Sequence, residues 1–283
     1  MPRRFGLAKR VAAVAVPLGL VVGGVAYGVS QHQSGDDKTL GECTTKVRGL
    51  SVILTDEQAR NATLISAIAI RRGLPAHAAT IALAAALQES KLYNLRGGDR
   101  DSLGLFQQRP SQGWGTPKEI LDPVHATNAF YSALERVPGY ADLEVTVAAQ
   151  RVQRSGFPSA YAVYEKDARA LASAMTGYSP AAFWCHQPTP DGSPAPTARR
   201  ARALRAALLP AFGPSEVRVL SGPTISVPVS TRERGWSLVS YVVARADRLG
   251  VSSVAYRGRV WKAGENAGWH RGGAADGSAV LVS

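Results

Sequence analysis

Residues 81 to 114 read IALAAALQESKLYNLRGGDRDSLGLFQQRPSQGW, and the reading of this stretch decides the fold. It opens as an Ala-rich apolar helix whose first charge is Glu89, passes through a polar loop with Gly97 and Gly98, and closes in the apolar run 103–106 followed by Gln107 and Gln108. Pro75 suits the first helical position, where its missing N–H needs no partner. Residues 76–87 are apolar nearly all round apart from His77 and Thr80, the pattern of a helix inside a core. The simplest reading is a buried helix that delivers one carboxylate, Glu89, to a cleft. Apolar surroundings and the negative end of the helix dipole would both work against a charged carboxyl there, which is the condition for a general acid.

Working outward, Thr55 followed by Gln58 makes a capping-box pattern, and Leu64, Ile65 and Ile68 give that helix an apolar face before Gly73 ends it. Thr116-Pro117 and Asp122-Pro123 each present a cap-then-proline helix start. The helix from Asp122 turns Val124, Phe130, Leu134 and Val137 inward. Helical stretches near 144–154 and 158–176 follow, with Gly177 as the C-terminal stop. Residues 49–185 therefore read as a mainly helical domain.

Glu89-Ser90 followed by Gly104-Leu105-Phe106-Gln107 resembles the Glu-Ser and Gly-Leu-Met-Gln signatures of lysozyme-like lytic transglycosylases, which cleave the glycan strands of peptidoglycan. Residues 56–176 follow that family's order. The resemblance implies a lysozyme-like helical domain with Glu89 as catalytic acid and base, Ser90 steadying its carboxyl by a hydrogen bond, and Gln107 lining the sugar-binding groove. Ser90 also reads as a helix-end cap, and Gly104 as a turn where a side chain would clash. The chain departs from the family downstream: many relatives carry an Ala-Tyr-Asn-Ala-Gly run where this one has Ala149-Gln150-Arg151-Val152-Gln153-Arg154-Ser155.

A hydrolase needs a second carboxylate across the scissile bond, and Asp99 and Asp101 are the candidates. As turn-forming acids beside arginines they read equally well as surface residues. Without either, Glu89 alone must protonate the leaving oxygen and assist attack by a substrate hydroxyl, giving the anhydro-sugar that defines lytic transglycosylases. Among the aromatics Phe106, Trp114, Tyr131 and Tyr161, Trp114 is the one expected to meet a sugar ring. It lies among Gln112, Gly113 and Gly115, without periodic apolar neighbours.

The 283 residues are 45% hydrophobic, enough for a core, and carry a net charge of +12. Four of those charges, Arg3, Arg4, Lys9 and Arg10, lie in the basic tail 1–10. With no basic block interleaved with aromatics, nucleic acid is not indicated, whereas a basic surface suits an anionic wall or membrane face. The uncharged run VAAVAVPLGLVVGGVAYGV places a transmembrane anchor at 11–30 with the tail in the cytoplasm. The competing reading is a cleaved signal peptide, given the small residues Gly24-Val25-Ala26. Either way the rest is exported, as the extracytoplasmic part of a single-pass membrane protein or as a secreted one. Residues 31–48 read as a polar spacer.

Cys43 and Cys185 are the only cysteines, and in an exported chain they most simply form one disulfide, with two buried thiols as the alternative. The four prolines of 186–197 mark an extended linker. Residues 198–283 then read as a small α/β unit, with helices at 198–209 and 235–249 and strands at 216–220, 224–229, 251–257, 259–262 and 278–283. This unit has a weak resemblance to the closing half of small cell-wall peptidase-like domains. Where those carry a histidine-rich metal motif it has Ala275-Asp276-Gly277-Ser278-Ala279, and the five histidines 32, 77, 125, 186 and 270 never fall at ligand spacing. No metal and no cofactor are expected. The sequence thus predicts an α+β chain with an N-terminal anchor. Its expected function is that of an enzyme cutting peptidoglycan glycan strands, the alternative being a non-catalytic wall-binding or scaffold protein.

Overall fold

Two residues at positive φ, Arg48 and Gly49, turn the chain between β1 (Glu42–Val47) and β2 (Leu50–Thr55), which pair from Glu42↔Thr55 to Val47↔Leu50. A two-residue turn with both centres left-handed matches the twist of a hairpin. The computed structural model describes residues 41–154, 159–190, 195–272 and 277–283. The spacer expected at 31–48 therefore needs correction at its end, because residues 42–47 are a strand with Cys43, Thr44 and Thr45 buried. The β-branched Thr44, Thr45 and Val47 look polar in composition yet suit a pleated, half-buried surface. The tail, the anchor 11–30 and residues 31–40 lie outside the described residues. Among those described, no helix is long and apolar enough to cross a membrane.

Thr55 closes β2 and caps α1 (Asp56–Arg71), accepting from the Gln58 backbone while the Gln58 side chain returns to the Thr55 N–H. α2 (Ala76–Ser90) is the buried axis of the molecule, with residues 78–87 at most 4% exposed. Pro75 is its N-cap with extended backbone rather than its first helical residue. Around α2 pack α1, α3 (Pro117–Ile120), α4 (Pro123–Glu135), α5 (Val145–Gln153), a 3-10 turn (Ala160–Tyr164) and α6 (Glu165–Met175). Thr116 caps α3 in a second capping box, and Asp122 caps α4 by accepting from Val124 N–H. The single helix expected over 158–176 is thus a 3-10 turn followed by α6. Gly177, at φ +88°, ends α6 as expected.

β3 (Phe183–Cys185) joins the other edge of β1, giving the order β2-β1-β3. Cys43 lies opposite Cys185 with Cα atoms 3.9 Å apart, and the two are disulfide-bonded.

The chain continues through α7 (Thr197–Phe212), β4 (Arg218–Val219), β5 (Ile225–Pro228), α8 (Arg232–Val243), α9 (Ala246–Leu249), β6 (Ser253–Tyr256), β7 (Arg259–Lys262), β8 (Trp269–Arg271) and β9 (Ala279–Val282). The helix expected at 235–249 starts earlier, at the Thr231 cap, and is two helices. The strands form an antiparallel sheet in the order β4-β5-β9-β6-β7-β8. The architecture is α+β, 47% helix and 16% strand, and among the described residues the strands form two sheets.

α8 packs against α1 and α6 as well as against its own sheet, and all described residues belong to one compact unit. A Cβ at Gly177 would fall 2.2 Å from the Glu233 carbonyl oxygen, so α6 and α8 meet there backbone to backbone. Arg245 keeps some exposed surface, yet its guanidinium is enclosed: it donates to Thr63 Oγ1, Arg60 O and Tyr241 O and lies 3.5 Å from the Tyr241 ring centre. Burial pushes its pKa down to about 10, still well above neutral, so it remains a cation inside the fold. Trp261 and Trp269 donate their indole N–H groups to Cys185 O and Phe183 O, tying β7 and β8 to β3.

Candidate functional site

The C-terminal end of α2 is where the buried helix meets the surface, and Glu89 stands one residue before that end. The chain leaves through Lys91 and Leu92, consecutive non-glycine residues at φ 54° and 65°. Left-handed backbone costs of order 1 kcal/mol or more per residue and persists only when the surroundings impose it. Here α1 does so: Gln58 Nε2 donates to Lys91 O at 2.9 Å and Asn61 Nδ2 to Leu92 O at 2.8 Å, while the Leu92 side chain is fully buried. The Lys91 ammonium bonds the Tyr164 hydroxyl and sits over its ring, 4.3 Å from the centre.

Glu89 is half-buried rather than mostly buried as its apolar flanks suggested. Its Oε1 accepts a hydrogen bond from the hydroxyl of Tyr161 at 2.8 Å, and Tyr161 is itself fully buried. Ser90 does not bond the carboxyl: its Oγ donates to Ala86 O at 3.1 Å and Leu105 O at 2.7 Å. Its work is to pin the turn at 104–107 to the end of α2. That turn is held to the end of α2 by this bond.

The turn is a tight loop closed by paired bonds between Leu103 and Gln108. Gly104 is required in it, since it lies at φ +75° and a Cβ would stand 2.6 Å from Ile120 O. Leu105 and Phe106 point into the core, where Phe106 stacks on Phe130 with centres 4.6 Å apart. Gln107 is half-buried, folds its amide back to Gly104 O, and lies against Gly98, where a Cβ would collide with its Oε1. Gln153 Nε2 donates to Phe106 O at 2.8 Å, so the stretch that departs from the family pattern also supports the turn.

Asp101 accepts from Arg109 Nε at 2.7 Å and from both the N–H and Oγ of Ser111, and these bonds hold its carboxyl well below the usual carboxylate range. Both oxygens are thus engaged in clamping the loop. Asp99 points outward, with only Arg100 at 3.9 Å. The structure brings neither carboxylate into contact with Glu89 among the described interactions, and the surface reading of both fits their geometry. Phe106, Tyr131 and Tyr161 are fully buried, whereas Trp114 keeps part of its ring exposed.

Trp114 lines a concavity of about 290 Å³ together with Gln112, Arg136, Arg151, Gln153 and Arg154. A larger one, about 780 Å³, opens between the β1–β2 turn, the start of α2 and α6, with Arg48, His77, Lys166, Arg169 and Tyr178 on its walls. Glu89 lines neither. Among the described residues no group of three or more His, Cys, Asp or Glu could hold a metal ion.

Sequence reasoning passed over Tyr161 as a partner for Glu89, because 72 residues separate them and a lone tyrosine carries no local signal. Compared with models of known protein families and with curated proteins, the chain matches none.

Proposed function

We propose that this chain cleaves the glycan strands of peptidoglycan outside the cytoplasmic membrane, in the manner of lysozyme-like lytic transglycosylases, with Glu89 as acid and base. One observation carries the reading. The chain's single Glu-Ser motif stands at the surface end of a buried helix, with the carboxyl held by a buried tyrosine and the following serine bonded to the Gly-Leu-Phe-Gln turn.

As general acid, Glu89 gives a proton to the glycosidic oxygen as the bond to the anomeric carbon breaks. The resulting carboxylate then takes a proton from a substrate hydroxyl that closes on that carbon, leaving an anhydro-sugar and restoring the acid. The engagement of Asp101 and the outward position of Asp99 favour this one-carboxylate route over hydrolysis between two. The disulfide agrees with an oxidising compartment, and residues 11–30 would hold the protein at the membrane. The C-terminal unit takes a binding or structural role.

A second reading, a wall-binding protein without catalysis, draws on Glu89 lining neither concavity. Turnover of purified peptidoglycan by the full chain and by Glu89→Gln decides between them, with product masses separating anhydro from reducing ends. Loss of general acid catalysis lowers the rate by roughly two or more orders of magnitude while wall binding survives. An unchanged rate in the variant removes the enzyme reading and leaves the binder.

A further inference from the structure

We propose that the concavity beside Trp114 holds a sugar bearing a negatively charged substituent, a carboxylate or a phosphate, so that the protein selects anionic glycans; this rests on the glycan-cleaving reading of Glu89. Three arginines are among the residues that line that space, Arg136 at the C-cap of α4 and Arg151 and Arg154 at the end of α5. No acidic side chain lines it, and among the described residues no salt bridge involves these arginines.

Like charges that converge repel, and two things let this cluster stand without a ligand. All three side chains are exposed to water, and they lie in the last turns of two helices, where the dipole favours cations. An anion placed among them gains forked, charge-assisted hydrogen bonds, which guanidinium groups supply for carboxylate and phosphate alike.

The remaining walls suit a sugar ring. Trp114 is partly exposed, and the nearly buried Val137 and Val152 add apolar surface to the lining. At about 290 Å³ the space is at the small end of ligand sites, the scale of one ring with its substituent. The site also touches the proposed machinery. Gln153 lines it and bonds Phe106 O, while Ser90 beside Glu89 bonds Leu105 O in the same turn. Two of the three arginines fall where the chain departs from the Ala-Tyr-Asn-Ala-Gly run, so the charge preference belongs to this chain's own residues.

The test uses the full chain carrying Glu89→Gln, which binds without turnover, titrated by calorimetry with four probes. These are a neutral N-acetylglucosamine oligomer, a peptide-free glycan fragment with free carboxylates, the same fragment with its carboxylates amidated, and a phosphorylated oligomer of matched length. One of the two charged probes binds about tenfold or more tightly than the neutral and amidated ones, and which one it is identifies the anion. Adding Arg151→Gln and Arg154→Gln abolishes that preference while leaving affinity for the neutral oligomer unchanged, which also shows that the variant is folded. Equal affinity for charged and neutral probes, or a preference that survives loss of the arginines, overturns the proposal. Cleavage assays on the chain with Glu89 intact are read separately: an anion preference without cleavage would remove the enzymatic reading alone, and cleavage without an anion preference would remove this inference alone.

Discussion

Asp101 shows how a single carboxylate can be fully occupied without being buried. Its partners Arg109 and Ser111 hold its folded-state pKa below the unfolded value of about 4. A depressed carboxylate contributes stability that is present above the unfolded value and is lost as pH falls through the folded one. Asp101→Asn is therefore expected to melt below the parent by a margin that is flat from pH 8 to about pH 5 and narrows below about pH 4, measured by thermal unfolding at pH 7, 5 and 3. A margin that widens on acidification would contradict the assignment. At this scale the sequence was informative where the cause is local. Gly104 was legible because a tight turn between a polar loop and an apolar run calls for a residue without a side chain. The partner of Ser90 was not, because a hydroxyl at a helix end can reach several acceptors and the fold decides which.

The end of α2 is an element whose shape is set by its neighbour rather than by its own residues. Lys91 and Leu92 have no intrinsic reason to be left-handed, and the amides of Gln58 and Asn61 on α1 are what satisfy the carbonyls exposed by that turn. Asn61→Ala leaves Leu92 O buried without its donor, and an expected loss of about 1–3 kcal/mol should appear as a lower urea midpoint with an unchanged slope. Loss of glycan cleavage beyond the unfolded fraction would further show that the turn orients Glu89. The helices were readable in advance because their starts are written in neighbouring residues, as Thr55 with Gln58 and Thr116 with Pro117. β1, β3 and β8 were not, since a strand of three to six residues takes its identity from partners far along the chain. Cys43 and Cys185 show the distance involved: they are 142 positions apart in sequence and face each other across adjacent strands.

The molecule as a whole is joined across α1, α6 and α8, where Arg245 donates to three acceptors and Gly177 lets two backbones touch. Arg245→Met strips those acceptors of a charged donor while sparing the desolvation of a cation, and the net effect is an expected loss of about 1–3 kcal/mol in chemical denaturation. Because α8 packs on both the helices and its own sheet, unfolding should remain one cooperative transition; two separated transitions would show that the C-terminal unit melts alone.

The bond between Cys43 and Cys185 also sets how the molecule answers a pull. Tension entering at residue 41 and leaving at residue 283 crosses from β1 to β3 through the sulfur atoms, so the helices between them, Glu89 included, stay slack while the C-terminal sheet takes the strain. Under optical tweezers the oxidised chain should lengthen only by what lies outside that ring, and reduction should release roughly 500 Å more from the 142-position span at about 3.5 Å per residue. A pull on the two ends would then leave undeformed the residues proposed to cut a glycan strand.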